Sequence, residues 1–287
     1  MPAPRRTASA VAAVCVATVV LAGCGSSPQD RAQQSPSPEA FRVCTNSPYA
    51  PFEFERDGET VGFDMSLGHE IARDMGRTLT VVQADFHTLE SGEALNEGRC
   101  DAAISGMTIT ERRREVVDFS QPYFNDQIAL LTTRGSGITS FSSVGTKTVG
   151  VQHATSGEKY ARDKKLKVRE VEDLDRMFSA LQGGQVKAVS GNISTLSQEA
   201  KKRPELRLVQ TVDTNENLGI AVKKGNTAVL DAVNRTLDRV TKDGTVDRLR
   251  QEWMGMEPPP PPVRTCPEPA RHPGLVVLSA SRRGARR

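Results

Sequence analysis

The hydrophobic pattern of this chain switches between a period of two and a period near 3.6, and the whole succession occurs twice. Arg42 to Thr45 reads as a short strand leading into the Pro-rich loop Pro48-Tyr49-Ala50-Pro51-Phe52. Asp57-Gly58 is a hairpin turn signal between two short runs. Asp64 is expected to cap a helix with the apolar stripe Met65, Leu67, Ile71 and Met75, closed by Gly76. A strand from Leu79 to Ala84, a helix around Glu93 to Asn96 and a buried strand at Ala102 to Ser105 follow. After Phe124 the alternation restarts, with a strand at Thr148 to Gln152, a helix capped by Ser156, a helix from Asp173 to Gly183-Gly184, and strands at Val186 to Val189 and Leu206 to Val209. Gly219 to Gly225 forms a last strand and turn. Two helices end the body, one with Val229, Val233, Leu237 and Val240 on one face, the other from Thr245 to Trp253. Such alternation requires an α/β layer structure. Two α/β units in one chain of 287 residues imply a cleft between them.

The two ends carry an address. Arg5 and Arg6 precede a small-residue apolar run that stops at Leu21-Ala22-Gly23-Cys24. The run is short for a bilayer span and reads as the core of a secretory signal peptide over residues 1–23. Leu-Ala-Gly-Cys is similar to the lipobox of bacterial lipoproteins. That likeness implies cleavage before Cys24, diacylation of its sulfur, and a protein anchored by lipid to the extracytoplasmic face of the bacterial cell membrane. Residues 24–40 read as a flexible tether, and residues 257–287, Pro-rich then Arg-rich, as a disordered tail. The formal charge of +3 belongs to these ends: the leader carries +2 and residues 258–287 carry +5, which leaves about −4 from Cys24 to Glu257. A nucleic-acid partner thereby loses its main support, and none is expected.

Of five cysteines, Cys15 leaves with the leader and Cys24 takes the lipid. Cys44, Cys100 and Cys266 remain in a compartment that permits disulfides. Three pairings are open, each leaving one thiol free; Cys44 and Cys100 sit beside strands of the same half, which favours their bridge. No CxxC or HxxxH spacing indicates a metal, and Gly150 to Gly157 lacks the Lys-Ser or Lys-Thr of a nucleotide loop. Neither metal nor cofactor is expected.

Six blocks occur in an order that carries a specific likeness: Tyr49-Ala50-Pro51-Phe52-Glu53-Phe54; Gly62-Phe63-Asp64; Ile104 to Arg113; Phe119-Ser120-Gln121-Pro122-Tyr123-Phe124; Gly150-Val151-Gln152 with Thr155-Ser156-Gly157-Glu158; and Gly219 to Gly225. Together they resemble the polar amino-acid solute-binding proteins of ABC importers, the family 3 extracellular binding proteins, over roughly residues 41–255. The stretch Ser91 to Asp101 is similar to a branch of that family in which a first-strand cysteine pairs with one before this aspartate, which adds weight to a Cys44–Cys100 bridge. The resemblance implies a two-lobed, type II periplasmic-binding-protein-like α/β fold with two hinge crossovers. Lobe one would hold residues 41–130 plus 219–256 and lobe two residues 131–218. The apolar runs Ile128 to Thr133 and Leu218 to Val222 lie where the crossovers are expected.

On spacing alone, Arg112-Arg113-Arg114 reads as a solvated helix face. The resemblance singles out Arg113 as the group for a ligand α-carboxylate, because a planar guanidinium offers paired donors that lysine lacks. Thr108 and the backbone N–H of Gly106 would share that anion, as would Thr155 and Ser156 at a helix start. Tyr49 and Phe86 match aromatic positions that pack on the ligand. Ala154 stands where the family has glycine. Asn192 and Asn46 occupy positions where the family has aspartates, and the loss of two negative charges predicts less preference for Lys, Arg or His.

The resulting expectation is a monomeric binding lipoprotein that captures a small polar amino acid between closing lobes and delivers it to an ABC permease and its ATPase. Two other roles occur on the same architecture. One is elimination of water and carbon dioxide by enzymes resembling periplasmic cyclohexadienyl dehydratase, which requires a cleft acid or base. The other is a ligand sensor that partners a kinase.

Overall fold

The computed structural model describes residues 39–256. The signal peptide, Cys15, Cys24, nearly all of the tether, Cys266 and the tail lie outside the described residues. The chain enters through β1 (Ala40–Thr45) and the hairpin β2 (Phe54–Arg56) and β3 (Glu59–Val61), whose turn residues Asp57 and Gly58 both take positive φ, 53° and 83°. Then come α1 (Phe63–Asp74), β4 (Thr78–Gln83), α2 (Phe86–Glu90), α3 (Glu93–Asn96), β5 (Ala102–Ala103), α4 (Glu111–Arg114) and β6 (Val117–Phe119). The second succession is β7 (Phe124–Thr133), β8 (Thr148–Gln152), α5 (Ser156–Asp163), β9 (Lys167–Val171), α6 (Leu174–Gln182), β10 (Ala188–Asn192), α7 (Ile193–Lys202) and β11 (Leu206–Leu218). Finally β12 (Ala221–Lys223), α8 (Thr227–Lys242) and α9 (Thr245–Met254) return to the first half.

Apart from the β2–β3 hairpin, which stands as its own two-stranded sheet, these strands form two five-stranded sheets, β4-β1-β5-β12-β6 and β11-β7-β10-β8-β9. The chain passes from the first sheet to the second between Phe119 and Phe124, and back between Leu218 and Ala221. Both passages run side by side, because β7 and β11 are antiparallel partners up to the pair Phe124 and Leu218. Ile128 to Thr133, expected as a crossover, lies wholly within the second sheet. Its apolar run reflects a central strand buried on both faces.

The apolar stripe of α8 buries Val233, Leu237 and Val240 in the first half, and Trp253 of α9 donates from Nε1 to Ser66 Oγ of α1 at 3.0 Å. Two caps differ from the expected ones. Gly62, not Asp64, precedes α1: its φ is 132°, and a Cβ there would sit 2.2 Å from the Phe52 carbonyl oxygen. Thr155, not Ser156, caps α5, its hydroxyl accepting from the Glu158 N–H at 3.2 Å. Ala154 just before it holds a left-handed φ of 65°, the conformation that a family glycine adopts freely.

Freed from capping, Asp64 does something else. It is fully buried, and its Oδ2 accepts from the Gly106 N–H at 2.7 Å and from the Tyr123 hydroxyl at 2.9 Å. Glu53, also fully buried, accepts at Oε1 from the Ser105 hydroxyl at 2.6 Å. Among the described residues Glu53 Oε2 and Asp64 Oδ1 accept no hydrogen bond, and a proton held between these neighbouring carboxyls would supply the missing donor. Burial, then the neighbouring Asp64, pushes the Glu53 carboxyl well above its usual range. Burial pushes Asp64 up to about 6, against the pull of the Gly106 and Tyr123 donors. The dyad ties the Tyr49–Phe54 loop and α1 to the Ser105-Gly106 turn.

Two predictions follow from these features. A carboxyl with a raised folded-state pKa holds a proton that the unfolded chain has released, so its contribution to stability is present at low pH and is lost as pH rises toward the folded value. Denaturant unfolding from pH 5 to pH 7 should therefore show a falling contribution of about 1.4 kcal/mol per pH unit per retained proton. Glu53→Gln should flatten that slope; an identical slope in the variant contradicts the shared-proton reading. The second concerns the Cys44–Cys100 bridge, whose cysteines lie 56 residues apart with Cα atoms 5.6 Å from each other. Replacing both cysteines by serine should cost about 2–4 kcal/mol in the same unfolding assay.

Candidate functional site

Each wall of the cleft is set by local structure. Arg113 lies on α4, whose cap Thr110 accepts from the Arg113 N–H at 3.2 Å. The Arg113 side chain is 3% exposed. Its Nη1 donates to the Thr108 carbonyl at 2.7 Å, its Nη2 to the Ala154 carbonyl at 2.9 Å, and its guanidinium carbon lies 5.2 Å from the centre of the Phe86 ring. Glu90, equally buried, approaches Nε to 3.5 Å from behind and also pairs with Arg112 and, at 3.4 Å, His87. Burial lowers the Arg113 pKa, and Glu90 opposes the shift. The segment carrying Thr108 is stitched to the return passage, with Ile109 N–H donating to Asn217 O and Gly219 N–H to Met107 O.

Eight of the nine expected ligand residues line one small enclosed cavity: Tyr49, Phe86, Gly106, Thr108, Arg113, Thr155, Ser156 and Asn192. Gln152 completes the lining, a residue the sequence reading placed in a family block without a role. Asn46 does not line it but accepts from Gln152 Nε2 at 2.8 Å. The two halves meet directly here. The Tyr49 hydroxyl donates to Asn192 Oδ1 at 2.9 Å, and Thr108 Oγ1 lies 3.3 Å from Ser156 Oγ.

Some expected roles change. The Gly106 N–H is committed to Asp64 and is not offered to an anion. The position still demands glycine, with φ at 50° and a Cβ 2.8 Å from Tyr49 Cε1. The Thr155 hydroxyl donates to Gln152 O at 2.8 Å and caps α5, so Ser156 carries the hydroxyl that faces the opposite wall. The expected deficit of negative charge is also incomplete. Glu216 on β11 and Asp126 on β7 occupy directly paired positions on the two crossover strands, 5% and 2% exposed. Glu216 Oε2 accepts from Thr108 Oγ1 at 2.6 Å. Asp126 is pushed up to about 6 by burial, against the donors of Gln127 and Ser194. Burial first, then Asp126, raises the Tyr49 phenol. Neither acid announces itself in sequence, since neither falls within a motif or one of the six family blocks.

At the cleft mouth the rings of His87 and His153 approach to 5.4 Å between centres. His153, Glu158 and Glu170 are close enough to share an ion, but Arg162 pairs with both carboxylates, which makes the group an ion-pair cluster.

Residues 41–256 match the family model described as bacterial extracellular solute-binding proteins, family 3. An arginine-binding periplasmic protein of Mannheimia haemolytica is 33% identical over 215 residues, which are 72% of this chain and 88% of that protein. The ABC transporter glutamine-binding protein GlnH of Bacillus subtilis (strain 168) is 30% identical over 259 residues, 84% of this chain and 94% of its own. Among solved structures, an ancestral arginine-binding protein bound to glutamine superposes with a TM-score of 0.72 at 34% identity, covering 76% of this chain and 98% of its own. With the two sheets, the paired passages and the cavity between them, this match over three quarters of the chain establishes that the protein belongs to the bacterial extracellular solute-binding proteins, family 3.

Proposed function

We propose that this protein captures a small polar amino acid between lobes built around its two sheets and hands it to an ABC permease and its ATPase. In this reading residues 41–123 with 219–256 act as one lobe and 124–218 as the other, the first boundary moving from residue 130 to the passage after Phe119, with the start of β7 and the end of β11 as hinge, and the chain is a monomer anchored through lipid at Cys24. The observation that carries the reading is the buried Arg113 guanidinium at the meeting of both halves, with Ser156 at the N-terminus of α5 opposite. Its two terminal nitrogens rest on backbone carbonyls, neutral acceptors that a ligand carboxylate replaces with a charged one. The arginine- and glutamine-binding relatives support an amino acid as the ligand class.

Glu216 and Asp126 supply buried carboxylates near the cleft in spite of Asn46 and Asn192, so turnover is tested directly. Calorimetry with L-glutamine, L-arginine, L-lysine and L-histidine should find binding, and Arg113→Ala should weaken it by about 2–5 kcal/mol. Unchanged affinity in that variant contradicts the site. Incubation with prephenate should release no phenylpyruvate; steady release would establish an enzyme instead.

A further inference from the structure

Resting on the reading of the cleft as an amino-acid site, we propose that Glu216, on the return crossover, receives the ligand's α-ammonium, acting both through its own carboxylate and through the Thr108 hydroxyl that it orients. A zwitterion brings two charges into a dry cleft, and each needs a partner. Arg113 and Ser156 serve the anionic end. At the two positions where a carboxylate was expected for the cationic end, the side chains are amides with committed oxygens. Asn192 Oδ1 accepts from Tyr49, and Asn46 Oδ1 accepts from Gln152. The remaining nitrogen of Asn192 is a buried donor without a partner, the wrong polarity for an ammonium.

Glu216 has the right polarity and lacks a cation. Among the described residues it forms no ion pair: its Oε2 accepts from Thr108 and its Oε1 from the Thr214 hydroxyl at 2.8 Å. Asp126, its cross-strand partner, likewise forms no ion pair among the described residues, and its Oδ2 is buried without a partner. Two buried acids side by side with only neutral donors make a site that a positive group relieves. The single Thr108 proton is spent on Glu216, so this hydroxyl presents lone pairs toward the cavity it lines and toward Ser156. Thr108 is thereby an acceptor, suited to N–H and not to carboxylate.

The test is calorimetry of the whole protein with four probes: L-glutamine and glutaramic acid, its counterpart without the α-amino group, then L-arginine and 5-guanidinopentanoic acid, likewise without it. Glu216→Gln should weaken both amino acids about 10- to 100-fold while changing the two des-amino acids by less than about twofold. Thr108→Val, which keeps the shape and leaves Glu216 in place, should show the same split to a smaller degree. The proposal is overturned if Glu216→Gln binds the amino acids as the unmodified protein does, if it loses only L-arginine, which would assign the acids to a cationic side chain, or if Thr108→Val weakens the des-amino acids equally. Should the unmodified protein bind neither amino acid, the amino-acid reading itself fails, and this assignment with it.

Discussion

A guanidinium at 3% exposure has to be met by oxygen on every side, and much of the cleft is built to meet Arg113. Leaving such a charge without partners costs several kcal/mol, so the supporting groups are structural requirements before they are functional ones. Glu90 neutralises it from behind, Phe86 covers one face, and the carbonyls of Thr108 and Ala154 take its forward donors. One of those carbonyls belongs to each half of the molecule. Arg113 is therefore a contact across the cleft, and in the proposed reading a ligand carboxylate that binds it competes with these contacts.

The first half holds this arrangement steady. The Glu53 and Asp64 dyad positions the turn through Gly106, and the turn in turn supports Tyr49 and Thr108. Stability is lost here as pH rises, because two buried carboxyls stand close together, yet the bonds to Ser105, Gly106 and Tyr123 order three segments that bear on the cleft. The strands that follow and precede the two passages repeat the motif with the paired Asp126 and Glu216, placing acid beside the proposed hinge.

Much of this was legible in the sequence where the signal is local. The Asp57-Gly58 turn, the α8 stripe and the Asp173 cap depend on near neighbours, and the structure has all three. The Cys44–Cys100 bridge was favoured by strands of the same half and then by the family likeness, since counting alone left three pairings open. Caps were misassigned by two residues at Asp64 and by one at Ser156: tertiary bonds to Gly106 and Tyr123 hold Asp64 while Gly62 precedes α1 without any side-chain cap, and Thr155 offers α5 an equivalent hydroxyl one residue earlier. β9, an edge strand of mostly charged residues, and α7, whose apolar stripe is only Ile193, Leu196 and Ala200, were missed. Glu90, Gln152, Asp126 and Glu216 were missed for another reason: each looks like an ordinary surface residue, and only tertiary contacts bury it.

The account rests on a ligand carboxylate meeting Arg113 between two closed lobes. A crystal structure of the protein grown with L-glutamine or L-arginine tests that most directly. The expected result is a carboxylate forked on the Arg113 guanidinium and within hydrogen-bond reach of Ser156, with both lobes in contact with the ligand. A ligand bound elsewhere, or one in the cleft with Arg113 still turned onto the Thr108 and Ala154 carbonyls and away from the carboxylate, would contradict it.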